Sequence, residues 1–344
     1  MSVGVIPGKF LPPHRGHLTS ILKAHTQVDK LYVVVSERKD DDGLLCKNAG
    51  CPYISGMLRK KWLCQELQGL DGIEVLLIDE GNIPSWPNGW APWADLVRAT
   101  VPEKFDVIFG GEPSYTEGSH KNFPGVEYRL IDPERSQRTI SGTEIRNNPY
   151  KHWEYIVGSA RPFFAKKILI TGTESCGKTT LTKKLAKIYY TSWSEELGRY
   201  YSHDYLGGDE SAFTDDDFKR IAHLQYEQDL TALKSANKVC FFDTDAIVTS
   251  YYANIYLGHK ISSINSFVDP KKYDLILFMS PDVKWVPDGL RFLGDQIKRN
   301  ELHEVLYRMY LDAGFDPNII KIISGNYEER LTQSMDWVES LITR

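Results

Sequence analysis

The octapeptide Gly172-Thr173-Glu174-Ser175-Cys176-Gly177-Lys178-Thr179 fits G-x-x-x-x-G-K-[ST] and follows directly on the apolar run Ile168-Leu169-Ile170. Leu181, Leu185 and Ile188 then recur at helical spacing, so strand, loop and helix occur in the order that a phosphate cradle requires. Each residue type has a task. The glycines let the backbone close around phosphate oxygens, Lys178 brings positive charge to the β- and γ-phosphates, and the Thr179 hydroxyl ligates Mg²⁺. The helix start adds free N–H groups and the positive end of its dipole. ATP contacts are expected from Gly172, Glu174, Ser175, Cys176, Gly177, Lys178, Thr179 and Thr180, the Cys176 side chain being incidental.

A loop of this kind sits at the end of a parallel strand, and short apolar runs recur along the whole chain. The first series is Val3 to Ile6, Leu31 to Val35, Val75 to Ile78, Val107 to Phe109 and Val126 to Ile131. The second is Ile168 to Thr171, Val239 to Asp243, Leu275 to Met279 and Ile319 to Ile323. Helix-like segments separate the runs, which predicts two α/β domains, each with a parallel sheet. Asn147-Asn148-Pro149 breaks any helix, and an aromatic connector runs from Tyr150 to Phe164, so the domains are expected at 1–160 and 161–344.

With 344 residues the chain is long enough for two cores, and 42% hydrophobic and 25% charged residues are ordinary for a globular protein. A net charge of −5 argues against a protein built to coat nucleic acid. No apolar run approaches the roughly 20 residues that span a bilayer, and the first residues lack a signal-peptide layout, so a cytoplasmic enzyme is expected. Cys46, Cys51, Cys64, Cys176 and Cys240 show no Cys-x-x-Cys spacing, which suggests neither a disulfide framework nor a zinc site. A homo-oligomer is compatible with all of this.

In the second half, Val239-Cys240-Phe241-Phe242 ends in Asp243-Thr244-Asp245, and carboxylates at the C-terminal end of a strand face the ligand crevice. Asp243 is a candidate for the Mg²⁺ shell or for orienting the acceptor hydroxyl; Asp245 takes the other task or binds ribose hydroxyls. Glu195-Glu196-Leu197-Gly198-Arg199 follows the first helix at the distance where a base or substrate anchor belongs, with Glu196 and Arg199 as candidates or, alternatively, a charged surface turn. Trp285 to Arg299 reads either as a phosphate-covering lid carrying Arg291 and Arg299 or as an amphipathic helix with a solvated basic face. Ser324-Gly325-Asn326 lies where a loop would contact adenine.

In the first half, the opening strand runs into Gly8-Lys9-Phe10-Leu11-Pro12-Pro13-His14-Arg15-Gly16-His17. Two histidines at a helix start can reach the phosphates of a nucleotide held on backbone N–H groups, and can stabilise the charge on departing pyrophosphate. Ile140-Ser141-Gly142-Thr143-Glu144-Ile145-Arg146 makes a second helix-start anion site with two hydroxyls and a cation. Between them, Trp86, Trp90 and Trp93 lie in a loop-like, proline-broken stretch, either stacking a flat heterocycle or filling the core.

The Gly8-to-His17 and Ile140-to-Arg146 strings resemble the two signatures of nucleotidylyltransferases of the nicotinamide-mononucleotide type. The Walker loop, the Phe242-to-Asp245 element and the Trp285-to-Arg291 stretch resemble the ribosylnicotinamide kinase half of the bifunctional NadR family. The resemblance covers nearly the whole chain and implies a Rossmann-like N-terminal domain joined to a P-loop kinase domain. It implies that the kinase phosphorylates nicotinamide riboside with MgATP, and that the first domain adenylylates the mononucleotide to NAD with release of pyrophosphate. Carried over, catalytic roles fall on His14, His17, Lys178, Glu196 and Asp243. ATP contacts of the first site fall on Gly8, Lys9, Phe10, His14, His17, Gly110, Ser141, Thr143 and Arg146, with Trp90 or Trp93 stacking nicotinamide. Riboside contacts fall on Glu196, Arg199, Asp243 and Asp245, metal contacts on Thr179 and Asp243, and an ATP contact on Asn326. Some members carry an N-terminal helix-turn-helix domain, whereas here the first strand begins at Val3, so DNA binding is not expected. A kinase and nucleotidylyltransferase pair for another riboside, and an NAD sensor with one inactive domain, are the competing readings.

Overall fold

The computed structural model describes residues 1–84, 88–132, 140–283 and 296–343. Its contacts divide the chain into two units, Met1–Arg161 and Pro162–Arg344.

The first unit is built on five parallel strands: β1 (Val3–Gly8), β2 (Lys30–Glu37), β3 (Ile73–Asp79), β4 (Val107–Gly110) and β5 (Glu127–Leu130). Their spatial order is β3-β2-β1-β4-β5. Strands buried on both faces read as continuous apolar runs rather than as an alternation. In β2 the pleat sends Val33 and Val35 to one face, against Ile21 and Ala24 of the helix Arg15–His25 and Leu63 of the helix Gly56–Glu66. Tyr32 and Val34 go to the other face, against Ala94 and Val97 of the helix Trp90–Thr100. The order reverses between β1 and β4, and ligands bind beyond the carboxyl ends of the strands at such a switch point.

The second unit holds β6 (Lys166–Gly172), β7 (Trp193–Ser194), β8 (Val239–Asp243), β9 (Leu275–Met279) and β10 (Ile320–Ile323), also all parallel, in the order β10-β9-β6-β8-β7. Ile168, Ile170, Phe241 and Leu277 pack against Leu181 and Leu185 of the helix Lys178–Ile188 and Val338 of the helix Tyr327–Ile342. β7 has two residues and so left no apolar run in the sequence. It nonetheless delivers Glu195 and Glu196 to the same sheet end as the Walker loop. Among the described residues no helix is long and apolar enough to cross a membrane.

The aromatic connector is tied to the first unit. Trp153 is 2% exposed, Ile156 bridges to His14, and Ser159 donates to the Trp62 carbonyl at 3.1 Å.

Candidate active sites

In the first unit a cavity of about 390 Å³ opens at the switch point, lined by Gly8, Lys9, Phe10 and His17 from the first string and by Trp90, Trp93, Gly110 and Tyr128 from across the sheet. His14 is the N-cap of the helix Arg15–His25 and His17 stands in its first turn. Their rings stack at 3.6 Å, with the Phe10 ring edge-on to His17 at 5.1 Å. Gly110 permits close approach: a Cβ there would stand 2.0 Å from the Tyr128 hydroxyl.

The second string is placed beside the first, with Ile145 and Arg146 buried and Thr143 and Glu144 exposed. Ser141 Oγ accepts from the Glu144 N–H at 3.2 Å while the Ser141 N–H donates to the Glu144 carboxylate at 2.9 Å, a reciprocal capping box. Arg146, 5% exposed, donates to the Leu11 carbonyl, and to Thr143 Oγ1 at 3.1 Å. Arg146 ties this helix to the His14 loop, and the Ser141 hydroxyl is taken up in capping the helix. Lys9 pairs with Asp42 at 3.0 Å. Trp90 and Trp93 need correction: they lie in the first turn of a helix and not in a loop. Pro92 is tolerated there because the N–H it lacks would have no helical acceptor. Trp90 meets Trp93 and Tyr115 edge-on at 5.5 and 5.7 Å. Trp86 lies outside the described residues.

Arg59 escaped the sequence reading. It is fully buried, and donates to the Lys9 carbonyl at 2.5 Å, the Ser36 carbonyl at 3.1 Å and the Asp42 carboxylate at 2.8 Å, fixing the exit of β1 and the end of β2 together.

In the second unit the Walker loop folds back on itself. Lys178 donates to the Thr173 carbonyl at 3.0 Å, and Gly177 takes a left-handed φ of 86° at the helix N-cap. Ser175 also has a positive φ, 60°, and the hydroxyls of Thr173 and Ser175 have no hydrogen-bond partner among the described residues. A loop that leaves buried donors unmatched is shaped for a ligand rich in acceptor oxygens. Cys176 points away from it into the core, donating to the Thr173 carbonyl at 2.9 Å, and burial pushes its thiol pKa up. Burial opposes the charge of Lys178, yet Cys176, Glu196 and Asp243 outweigh it and hold the ammonium pKa above its ordinary value.

Asp243, at the end of β8, is fully buried. Burial and the neighbouring Glu196 charge push its pKa up to about 7, against Lys178 and Thr179, which pull it down. Glu196 and Arg199 line a smaller pocket of about 90 Å³ with Glu174, Phe213, Phe218, Tyr252 and Tyr256. Glu195 is drawn aside by Lys183 at 3.1 Å, which separates the two adjacent glutamates.

Asp245 does not line that pocket. It caps the helix Ala246–Leu257, its Oδ1 accepting from the Ile247 and Val248 N–H groups at 3.0 and 3.2 Å and from the Tyr310 hydroxyl at 2.8 Å. Burial raises its pKa to about 6. Arg299 is 2% exposed and donates to the Val283 carbonyl at 3.2 Å, which removes it from the expected lid surface; Arg291 lies outside the described residues. Asn326 caps the helix Tyr327–Ile342 through its own Oδ1. Behind it, buried Arg330, unmarked by any motif, ties the Cys176 carbonyl at 2.8 Å to the Gly325 carbonyl at 2.7 Å.

The AAA domain family model matches residues 167–330, the Walker-loop half. Over 353 aligned positions, spanning 99% of this chain and 83% of the relative, the sequence is 33% identical to the trifunctional NAD biosynthesis/regulator protein NadR of Escherichia coli (strain K12). The chain belongs to the NadR family. It is a transferase of NAD biosynthesis that combines nucleotidyltransferase and P-loop kinase folds. A crystal structure of NadR protein in complex with NAD and AMP-PNP matches at TM-score 0.80 and 28% identity, covering 100% of this chain and 96% of that one. A second, of NadR protein in complex with NR, matches at TM-score 0.78 and 28% identity, covering 98% and 95%.

Proposed function

We propose that Pro162–Arg344 phosphorylates nicotinamide riboside with MgATP, and that Met1–Arg161 transfers the adenylyl group of a second ATP to the resulting mononucleotide, forming NAD and pyrophosphate. The observation that carries the reading is one chain with two separate nucleotide-type sites: a Walker loop beside a carboxylate-bearing aromatic pocket, and a histidine loop beside a tryptophan-walled cavity. The relatives crystallised with NAD, AMP-PNP and NR support the same pair of reactions.

In the kinase site Lys178 and the loop N–H groups hold the β- and γ-phosphates. Mg²⁺ takes few protein ligands besides phosphate and water, which suits Thr179 and Asp243, whose two buried carboxylate oxygens have no hydrogen-bond partner among the described residues. Bound there, the ion neutralises charge on the phosphoryl group. Glu196, lining the acceptor pocket, takes the proton of the acceptor hydroxyl as it attacks the γ-phosphorus, and Arg199 anchors the riboside. In the adenylyltransferase site the mononucleotide phosphate attacks the α-phosphorus. His14, His17 and the start of the helix Gly142–Asn147 stabilise the departing pyrophosphate, with no covalent intermediate. Trp90 or Trp93 stacks the cationic pyridine ring. The five cysteines are all free thiols, as a reducing cytoplasm would keep them.

Two variants test the division of labour. His17→Ala should abolish NAD formation from the mononucleotide and leave riboside phosphorylation intact, and Lys178→Ala should do the reverse. Loss of both activities in either folded variant would rule out separate sites. A panel of uridine, adenosine and nicotinamide riboside tests the acceptor, and preference for another nucleoside would contradict the proposed substrate.

A further inference from the structure

Several hydroxyls line the cavity of the first unit, and two of them are spent within the protein. Ser20 donates to the Gly16 carbonyl at 3.0 Å, and Tyr128 to the Glu112 carbonyl at 3.0 Å. Ser119 differs. It lines the same cavity and is 1% exposed, yet its Oγ has no hydrogen-bond partner among the described residues. A serine within a helix commonly bonds the carbonyl one turn back, and Ser119, inside the helix Thr116–Asn122, does not. A buried hydroxyl left unmatched is unfavourable in the free protein, so keeping one at a cavity wall calls for a partner that arrives with the ligand.

The surroundings say which part of a ligand that is. The turn carrying Ser119 presses on Trp90: a Cβ at Gly118 would stand 2.3 Å from the indole. Tyr115, one turn earlier, meets the same indole edge-on, and Trp93 completes the wall. Aromatic walls take a flat ring by stacking and offer its substituents little to bond with. The pyridine ring of the mononucleotide has one polar substituent, a carboxamide, and a hydroxyl can either donate to its oxygen or accept from its nitrogen.

We infer that Ser119 is a specificity-determining residue whose Oγ hydrogen-bonds the pyridine carboxamide when the ring lies against the Trp90 and Trp93 wall. This rests on the adenylyltransferase reading above. It adds that the first site selects its mononucleotide by the ring substituent and not by the ring alone, since a site that bonds a substituent discriminates against an analogue lacking it.

The test compares the full chain with Ser119→Ala, using MgATP and two acceptors: nicotinamide mononucleotide, and pyridine mononucleotide lacking the carboxamide. The variant should raise KM for nicotinamide mononucleotide about tenfold, the loss typical of one hydrogen bond, with KM for ATP unchanged. On pyridine mononucleotide, variant and parent should have the same kcat/KM, which also shows that the unit is folded. An equal penalty on both acceptors, or none on either, would overturn the inference. Ser119→Cys keeps the volume with a much weaker hydrogen-bonding group and repeats the comparison should the alanine variant not fold. If the parent turned over neither mononucleotide, the adenylyltransferase reading would fail and the inference with it.

Discussion

Arg59→Met is the sharpest test of how the first site is held. Arg59 is fully buried, and its guanidinium reaches the Asp42 carboxylate at 2.8 Å, the Glu37 carboxylate at 3.8 Å and three main-chain carbonyls, those of Lys9, Ser36 and Ser55. Removing one partner of a buried ion pair strands the other, at about 3–5 kcal/mol. Asp42 keeps the Lys9 ammonium at 3.0 Å and the Arg38 N–H at 3.2 Å, so the lower end, about 3 kcal/mol, applies here. In a unit of this size 1 kcal/mol moves the melting temperature by about 2–4 °C, which gives a fall of about 6–12 °C. The assay follows residual adenylyltransferase and kinase activities after graded heating. Adenylyltransferase should be lost earlier in Arg59→Met, with the kinase profile unchanged. Adding Asp42→Asn removes the nearer stranded charge, Glu37 keeping the Tyr53 hydroxyl and the Gly56 N–H, and should recover at least half of the fall. A shift below about 2 °C, or a double variant no better than the single one, would refute the argument that a buried charge pair anchors the Lys9 loop.

Asp243 predicts a pH dependence confined to the kinase. With its pKa near 7 in the free enzyme and its charged form needed for the metal, kinase kcat/KM should fall about tenfold per unit below about pH 7, while Asp243→Asn loses the activity altogether. The folded pKa lies above the ordinary aspartate value of 3.8, so this group's contribution to stability is present at low pH and is lost as pH rises through about 7. Asp243→Asn should therefore raise the melting temperature at pH 8 and not at pH 4. Gly110→Ala places a Cβ 2.0 Å from the Tyr128 hydroxyl, and should abolish adenylyl transfer and spare the kinase. Tyr251 is 2% exposed with an unpartnered hydroxyl among the described residues, so Tyr251→Phe should melt no lower than the parent; a drop of more than about 1 kcal/mol would reveal a missed partner.

The strand runs, the fold class and the Walker loop were legible because periodicity and glycine spacing are local properties of the chain. What escaped was the direction in which side chains point. Ser141 and Arg146 carry the composition of an anion site, but capping and a carbonyl across the fold claim them. Asp245 follows Asp243 by two residues, yet one faces the Walker loop and the other caps the next helix. The aromatic wall of the kinase pocket draws Phe213 and Phe218 from one stretch and Tyr252 and Tyr256 from another, and no short spacing announces such a wall. Arg59 and Arg330 are isolated arginines in sequence, and only the fold reveals the carbonyls that each one gathers.

The most direct test of two sequential activities in one chain supplies nicotinamide riboside, ATP and Mg²⁺ as the only inputs and follows the products over time. The account predicts transient mononucleotide followed by NAD, with pyrophosphate released in step with NAD. Accumulation of mononucleotide without NAD, or of neither product, would contradict it.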